Sequence, residues 1–126
     1  MAVLQWNING VQHQYEELTR LTKTFNPVAI AIQETNLSEN STFNLKGFEI
    51  HRKDYLLGQK ACDGVAILIP DSIPHSLLQI VSPLQAVAVQ IIIILLLLSQ
   101  YFFVNISMKY FKSTFTIFFV NISKIL

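Results

Sequence analysis

The sequence predicts a compact α/β domain, and three observations carry that prediction. Residues 2 to 33 pass from a short β-prone run to an amphipathic helical pattern and back to a β-prone run. Two runs, Val28 to Gln33 and Gly64 to Pro70, are apolar at nearly every position, as strands covered on both faces are. Polar, turn-forming clusters separate these runs, the punctuation of a mixed α/β domain. With 126 residues there is room for one domain with a real core.

The elements follow in order. Ala2 to Asn7 reads as a strand, rich in Val3, Leu4 and Trp6, and is ended by Asn9-Gly10, a dipeptide suited to positive φ. A helix is expected over Gln12 to Phe25, because Val11, Tyr15, Leu18, Leu21 and Phe25 recur at helical spacing while Glu16, Glu17, Arg20 and Lys23 take the other side. Glu16 and Arg20 sit four apart in the favourable order. Asn26-Pro27 ends the helix, since a residue before proline is pushed out of the α region. The next strand, Val28 to Gln33, then runs parallel to the first, as a crossover of this length requires.

Thr35 to Lys46 is expected as a polar loop, Phe48 to Lys53 as a strand with one wet face, and Leu57 to Gly64 as a second loop. Gly64 to Pro70 is a buried strand stopped by its proline. Ser76 to Val81 and Leu84 to Gln90 read as further strands.

From Ile91 the character changes. Hydrophobic residues make up 52% of the chain and charged residues 13%, about half the usual charged share. The deficit is local, because no Asp, Glu, Lys or Arg lies between Asp71 and Lys109. Residues 1 to 90 are therefore expected to form the domain, and residues 91 to 126 an aberrant, apolar, low-complexity tail. Phe102 to Ser107 recurs at Phe118 to Ser123, a period of sixteen that matches no solenoid unit. Ala86 to Met108 is long enough to span a bilayer, yet Gln90, Ser99, Gln100 and Asn105 interrupt it, so membrane association is the rival reading rather than the favoured one. A translated stretch without selected function is a third.

Net charge is +1, so no global field draws the chain to nucleic acid or to an anionic membrane. Lone Cys62 excludes an internal disulfide and a multi-cysteine zinc site. Met1 to Gly10 lacks the basic start and apolar core of a signal peptide.

Asn7, Asn9 and Glu34 are the candidate site residues. Each closes an apolar run with an oxygen-bearing side chain, and a hard cation such as magnesium takes one or two carboxylates with water and substrate phosphate. On residue type alone, turn formation or helix capping competes with this reading.

Four blocks, taken together, add a resemblance. They are Leu4-Gln5-Trp6-Asn7-Ile8-Asn9-Gly10; Asn26-Pro27 leading into Ile30-Ala31-Ile32-Gln33-Glu34-Thr35; Lys46-Gly47-Phe48; and Gly64-Val65-Ala66-Ile67-Leu68-Ile69. In order and spacing they resemble the start of the endonuclease domain of non-LTR (LINE, jockey-type) retrotransposons, within the DNase I-like superfamily of exonucleases, endonucleases and phosphatases. The resemblance covers roughly residues 2 to 90. It implies an incomplete four-layer α/β/β/α sandwich, N-terminal half only, and magnesium-dependent hydrolysis of a DNA phosphodiester for target-site nicking. Nuclear or cytoplasmic localisation is implied with it. Glu34 aligns with the family's metal-binding glutamate and Asn7 with the asparagine of the same site. Asn9 falls where many repair relatives carry aspartate, which keeps an oxygen ligand and loses a charge.

The family's later blocks, a tyrosine-containing strand, a Gly-Asp-Phe-Asn turn and a final Ser-Asp-His, do not occur. The only aspartates are Asp54, Asp63 and Asp71, and no histidine follows His75. Losing one acid or base typically costs roughly 10²–10⁴-fold, so the resemblance implies a fragment that is inactive alone. Val28 to Ile32 and Gly64 to Ile69 are then expected to expose apolar faces, inviting self-association or aggregation. His51 and His75 read as separate polar surface residues. Arg52, Lys53 and Lys60 read as a solvated face, with contact to a DNA backbone as the sharper alternative. Asn105 and Asn121 fit the glycosylation pattern without a secretion signal to support it.

Overall fold

The computed structural model describes residues 2–57, 60–81, 85–97 and 109–120, with the backbone course alone for 56–57, 92–97 and 109–120. β1 (Val3–Asn7), α1 (Tyr15–Phe25) and β2 (Ala29–Gln33) come first, followed by β3 (Phe48–Lys53). A small hairpin of β4 (Leu56–Leu57) and β5 (Lys60–Ala61) leads to β6 (Val65–Pro70). β7 (His75–Leu78), β8 (Ala86–Leu97) and β9 (Lys109–Val120) complete the described chain.

One sheet has the order β1-β2-β6-β3 and the other β7-β8-β9. β1 and β2 are parallel, with Val3 opposite Ala29 and Asn7 opposite Gln33, as the crossover through α1 requires. β6 is antiparallel to both β2 and β3. The fold is mixed α/β, with one helix among the described residues, consistent with the partial DNase I-like sandwich that the resemblance implies.

Strand alternation divides the core in two. Ile30, Ile32, Ala66 and Leu68 turn towards the helix side, where they meet Leu18 of α1 together with Ile8, Val11, Leu37 and Leu45 from the strand-end loops. Leu18 is fully buried, and burial of such a side chain contributes about 1.5–3 kcal/mol. Ala29, Ala31, Val65, Ile67 and Ile69 turn the other way and meet Val87, Val89 and Ile91 of β8. The apolar faces expected to lie bare are therefore covered, one by α1 and its loops and the other by the second sheet. Self-association driven by those two faces loses its basis.

Four local expectations differ from what forms. The helix begins at Tyr15 rather than Gln12: residues 11–14 make a turn, and Gln14, at ψ 17°, caps the helix with its carbonyl accepting from Leu18 N–H at 2.9 Å. Arg20 pairs with Glu17, Nε to Oε2 at 2.8 Å, instead of Glu16. The loop after Leu57 contains the β4–β5 hairpin. β7 starts at His75 and stops at Leu78, leaving Val81 fully exposed.

The helix ends as its sequence suggests. Asn26 takes a left-handed conformation at φ 44°, its N–H bonded to Thr22 O, and Pro27 follows. β8 runs on through Ile91 to Leu97, so the first twelve residues of the charge-free stretch from Ala86 form a strand. No helix among the described residues is long and apolar enough to cross a membrane. Residues 98–108 and 121–126, with Asn105, Asn121 and most of the internal repeat, lie outside the described residues.

Candidate active site

Parallel pairing of β1 with β2 brings their C-terminal ends out of the sheet side by side. The ladder continues past the last paired residues, with Ile8 N–H bonded to Gln33 O at 3.0 Å, Gly10 N–H to Glu34 O at 2.8 Å and Val11 N–H to Thr35 O at 3.1 Å. The start of β6 closes the third side. Asn36 N–H bonds to Asp63 O at 2.8 Å, and Thr35, itself buried, directs Oγ1 to the same carbonyl at 3.3 Å. Gly64 N–H is held by Oε1 of the buried Gln85 at 3.1 Å.

This junction concentrates backbone strain. Asn9, Glu34, Asn36 and Asp63 all sit near φ 50°, at 48°, 54°, 54° and 54°. Asn and Asp tolerate the left-handed region, whereas for Glu34 it is uncommon and costs about 1–2 kcal/mol. Such residues persist only where surrounding hydrogen bonds hold them, and they cluster at functional sites. Here the bond from Gly10 N–H to Glu34 O supplies that hold directly.

The strained turn aims the Glu34 side chain at the end of β1. Asn7 Nδ2 donates to Glu34 Oε1 at 3.2 Å, across twenty-seven residues of sequence. That bond uses the amide nitrogen and leaves the Asn7 oxygen out of it. Asn9 is not part of the pair; its Oδ1 accepts from Asn36 Nδ2 at 3.4 Å. The structure thus brings Asn7 and Glu34 together, sets Asn9 beside them on the same strand-end loop, and adds Asn36. Sequence reasoning missed Asn36, although it stands two residues after Glu34 in the same polar strand end.

Glu34, Asn7 and Asn9 offer oxygen as their ligand atoms, one carboxylate and two amides. That donor set suits a hard cation of the magnesium type, which keeps several waters and accepts substrate phosphate, and it offers no thiolate or imidazole to a softer ion.

The basic residues near the loops have different roles. Arg52 is no free cation: its Nη2 donates to Ser41 O at 2.8 Å and Ser38 O at 3.4 Å, and its Nε lies 3.5 Å from Asp54 Oδ2. It fastens the 38–41 loop to β3. Burial pushes the Asp54 carboxyl above its ordinary range, Arg52 pulls it back, and Glu39 adds to the rise. Lys60 lies exposed on β5. His51 and His75, far apart in sequence, face each other where the two sheets meet, away from Glu34, which ends β2, two strands from β3 in the first sheet.

The model of the Endonuclease/Exonuclease/phosphatase family matches residues 4–101, which takes in Asn7, Asn9, Glu34 and the strands from β1 through β8. No curated protein sequence matches the chain.

Proposed function

Because the chain belongs to the endonuclease/exonuclease/phosphatase family, we propose that Glu34, Asn7 and Asn9 form the metal-binding side of a site that hydrolyses phosphodiester bonds in DNA. The family groups nucleases with phosphatases, so a hydrolase acting on phosphate esters is the coarser statement behind this one. The observation that carries the reading is the Asn7–Glu34 contact of 3.2 Å at the paired ends of β1 and β2, held by a left-handed Glu34. A glutamate in a strained turn, bonded to a strand-end amide and matched within the family region, is costly as mere surface decoration.

Magnesium is the ion we propose for these oxygen donors. Bound there, it would draw charge from the phosphate as the transition state develops. The work of this chain's residues is positional. Glu34 supplies the anionic ligand, Asn7 fixes the Glu34 rotamer through its Nδ2–H, and Asn9 keeps an amide oxygen close by without adding charge. The four sequence blocks that resemble the retrotransposon endonucleases favour DNA nicking at a target site as the specific activity.

These 126 residues hold neither a histidine after His75 nor an aspartate after Asp71. The groups that activate water and stabilise the leaving oxygen are therefore not evident among them, and we propose that this chain by itself is close to inactive. Magnesium binding followed by calorimetry, expected to be weakened by Glu34→Ala and refuting the site if unchanged, tests the metal-binding side, and magnesium-dependent nicking of supercoiled plasmid by the purified chain tests the inactivity. Nicking at the level of the no-enzyme control, with no difference between wild type and Glu34→Ala, is expected. Robust nicking that Glu34→Ala abolishes would keep the site and overturn the inactivity; robust nicking that survives Glu34→Ala would overturn the site.

A further inference from the structure

Strand alternation in β3 puts Phe48 and Ile50 towards α1 and so turns Glu49 and His51 towards the second sheet. Their partners in β6 are Ile69 and Ile67, which belong to the core between the sheets. His75 opens β7 opposite Ile91, a residue of the same core. Two strands at the edges of different sheets therefore deliver two imidazoles and a carboxylate to one rim of the inter-sheet layer.

The three side chains converge closely. His51 Nε2 and His75 Nε2 are 2.9 Å apart, Glu49 Oε2 is 3.2 Å from His75 Nε2, and Glu49 Oε1 is 3.5 Å from His51 Nε2. Both histidine side chains are largely buried, at 13% and 7% exposure, while Glu49 reaches in from solvent at 56%. The rings meet edge-on, 75° between planes, so parallel stacking is not what brings them together.

Counting protons shows what the cluster lacks. His75 Nδ1 lies 2.9 Å from Ile73 O, an acceptor only, so that nitrogen carries the hydrogen and a neutral His75 turns a bare lone pair outward from Nε2. His51 can satisfy it with one Nε2–H, yet the Glu49 carboxylate then faces the same lone pair with nothing between them. A proton on His75 Nε2 would satisfy one of these contacts, whereas a single metal ion accepts a pair from each of the three atoms at once. The contact between His75 Nδ1 and the Ile73 carbonyl is also the kind of outer partner that orients a metal-binding imidazole.

We propose that Glu49, His51 and His75 bind a divalent transition-metal ion of the zinc class, tying the edge of the first sheet to the edge of the second. Zinc takes imidazole nitrogen and carboxylate oxygen at about 2.0–2.2 Å in a tetrahedron, which places neighbouring ligand atoms about 3.3 Å apart. The observed separations bracket that value. Two nitrogen ligands of three select against magnesium, which prefers oxygen throughout. Three protein ligands leave the fourth position to water, which the exposed Glu49 side of the cluster admits. The site is independent of the phosphodiesterase reading, since none of its ligands is shared with Glu34, Asn7 or Asn9.

The full 126-residue chain, freed of metal, is titrated with zinc chloride in competition with a chromophoric chelator, and cobalt(II) is substituted for its visible spectrum. One tight zinc per chain and the absorption of four-coordinate cobalt are expected. His51→Ala and His75→Ala should each weaken zinc binding by about tenfold or more. Glu34→Ala and the exposed His13→Ala should leave it unchanged. Glu49→Gln, at an exposed position that leaves the core intact, should weaken zinc binding without lowering the metal-free melting temperature. Zinc should raise the melting temperature of the wild type by binding only the folded state, and magnesium should not do so through these ligands. Wild-type affinity in both histidine variants, wild-type affinity in Glu49→Gln, or no zinc binding by the native chain would each overturn the proposal.

Discussion

Gly64→Ala is the substitution that most directly tests how the strand-end junction is held. Gly64 has φ +88°, a region costing an L-residue about 1–2 kcal/mol. An added Cβ would lie 2.6 Å from Thr35 Oγ1 and 3.3 Å from Lys53 O. Thr35 is buried and short, with no flexible end to swing aside, and its hydroxyl already bonds to Asp63 O at 3.3 Å. Overpacking of this kind costs about 1–3 kcal/mol. The sum, roughly 2–5 kcal/mol, is a large part of a typical domain's stability of about 5–15 kcal/mol. Urea unfolding of wild type, Gly64→Ala, Thr35→Ala and the double variant separates the two terms. Thr35→Ala alone should cost about 1–2 kcal/mol for its hydrogen bond and methyl group. In that background Gly64→Ala should be cheaper by about 1–3 kcal/mol, because the overlap is gone and the φ cost remains. Thr35→Ser keeps the hydroxyl and should give no such relief. Equal cost of Gly64→Ala in both backgrounds would refute the steric account, and hydrogen exchange at Gly10 and Val11 would then have no reason to speed up in the single variant.

Two further outcomes follow from the Arg52–Asp54 pair. Arg52→Ala should destabilise the chain by about 1–3 kcal/mol, since it frees two loop carbonyls and strips a partly buried carboxylate of its cation; amide exchange should accelerate in residues 38–41, and unchanged exchange there would show that the guanidinium does not fasten the loop. Burial raises the Asp54 carboxyl pKa in the folded state above its unfolded value of about 3.9, so its contribution to stability is whole below that pH and is lost as pH rises through the folded value. Asp54→Asn removes this dependence, so thermal melts from pH 4 to 7 should show wild type losing ground to the variant; a wild type that gains on the variant over that range would reverse the sign.

Much of the first sheet was legible because its signals are local. The step of apolar residues along α1, the Asn26-Pro27 stop and the unbroken apolar runs of β2 and β6 each depend on neighbours in sequence, and a crossover through one helix fixes the parallel pairing. Given that pairing, the ends of β1 and β2 must lie together, and so Asn7 and Glu34 meet although twenty-seven residues separate them. At Arg52, the departure from expectation traces to a distant partner. Arg52 looks like one of three surface cations, and only the return of the 38–41 loop over β3 supplies the carbonyls that hold it.

The pairing of His51 with His75 lies one level further from the sequence. Topology within a single sheet says nothing of which edge of a second sheet will approach, so the meeting of these residues depends on how β8 seats its Val87, Val89 and Ile91 against β2 and β6. Once those three side chains fill that layer, β7 is carried to the β3 edge by its pairing with β8, with His75 opposite Ile91. The histidines therefore report inter-sheet packing, whereas Asn7 and Glu34 report strand order. A change that shifts Val87, Val89 and Ile91 of β8 should separate His51 from His75 more than it disturbs the Asn7–Glu34 contact, because the second pair draws its geometry from the pairing of β1 with β2 and is linked to β8 one step removed, through the bond from Gly64 to Gln85.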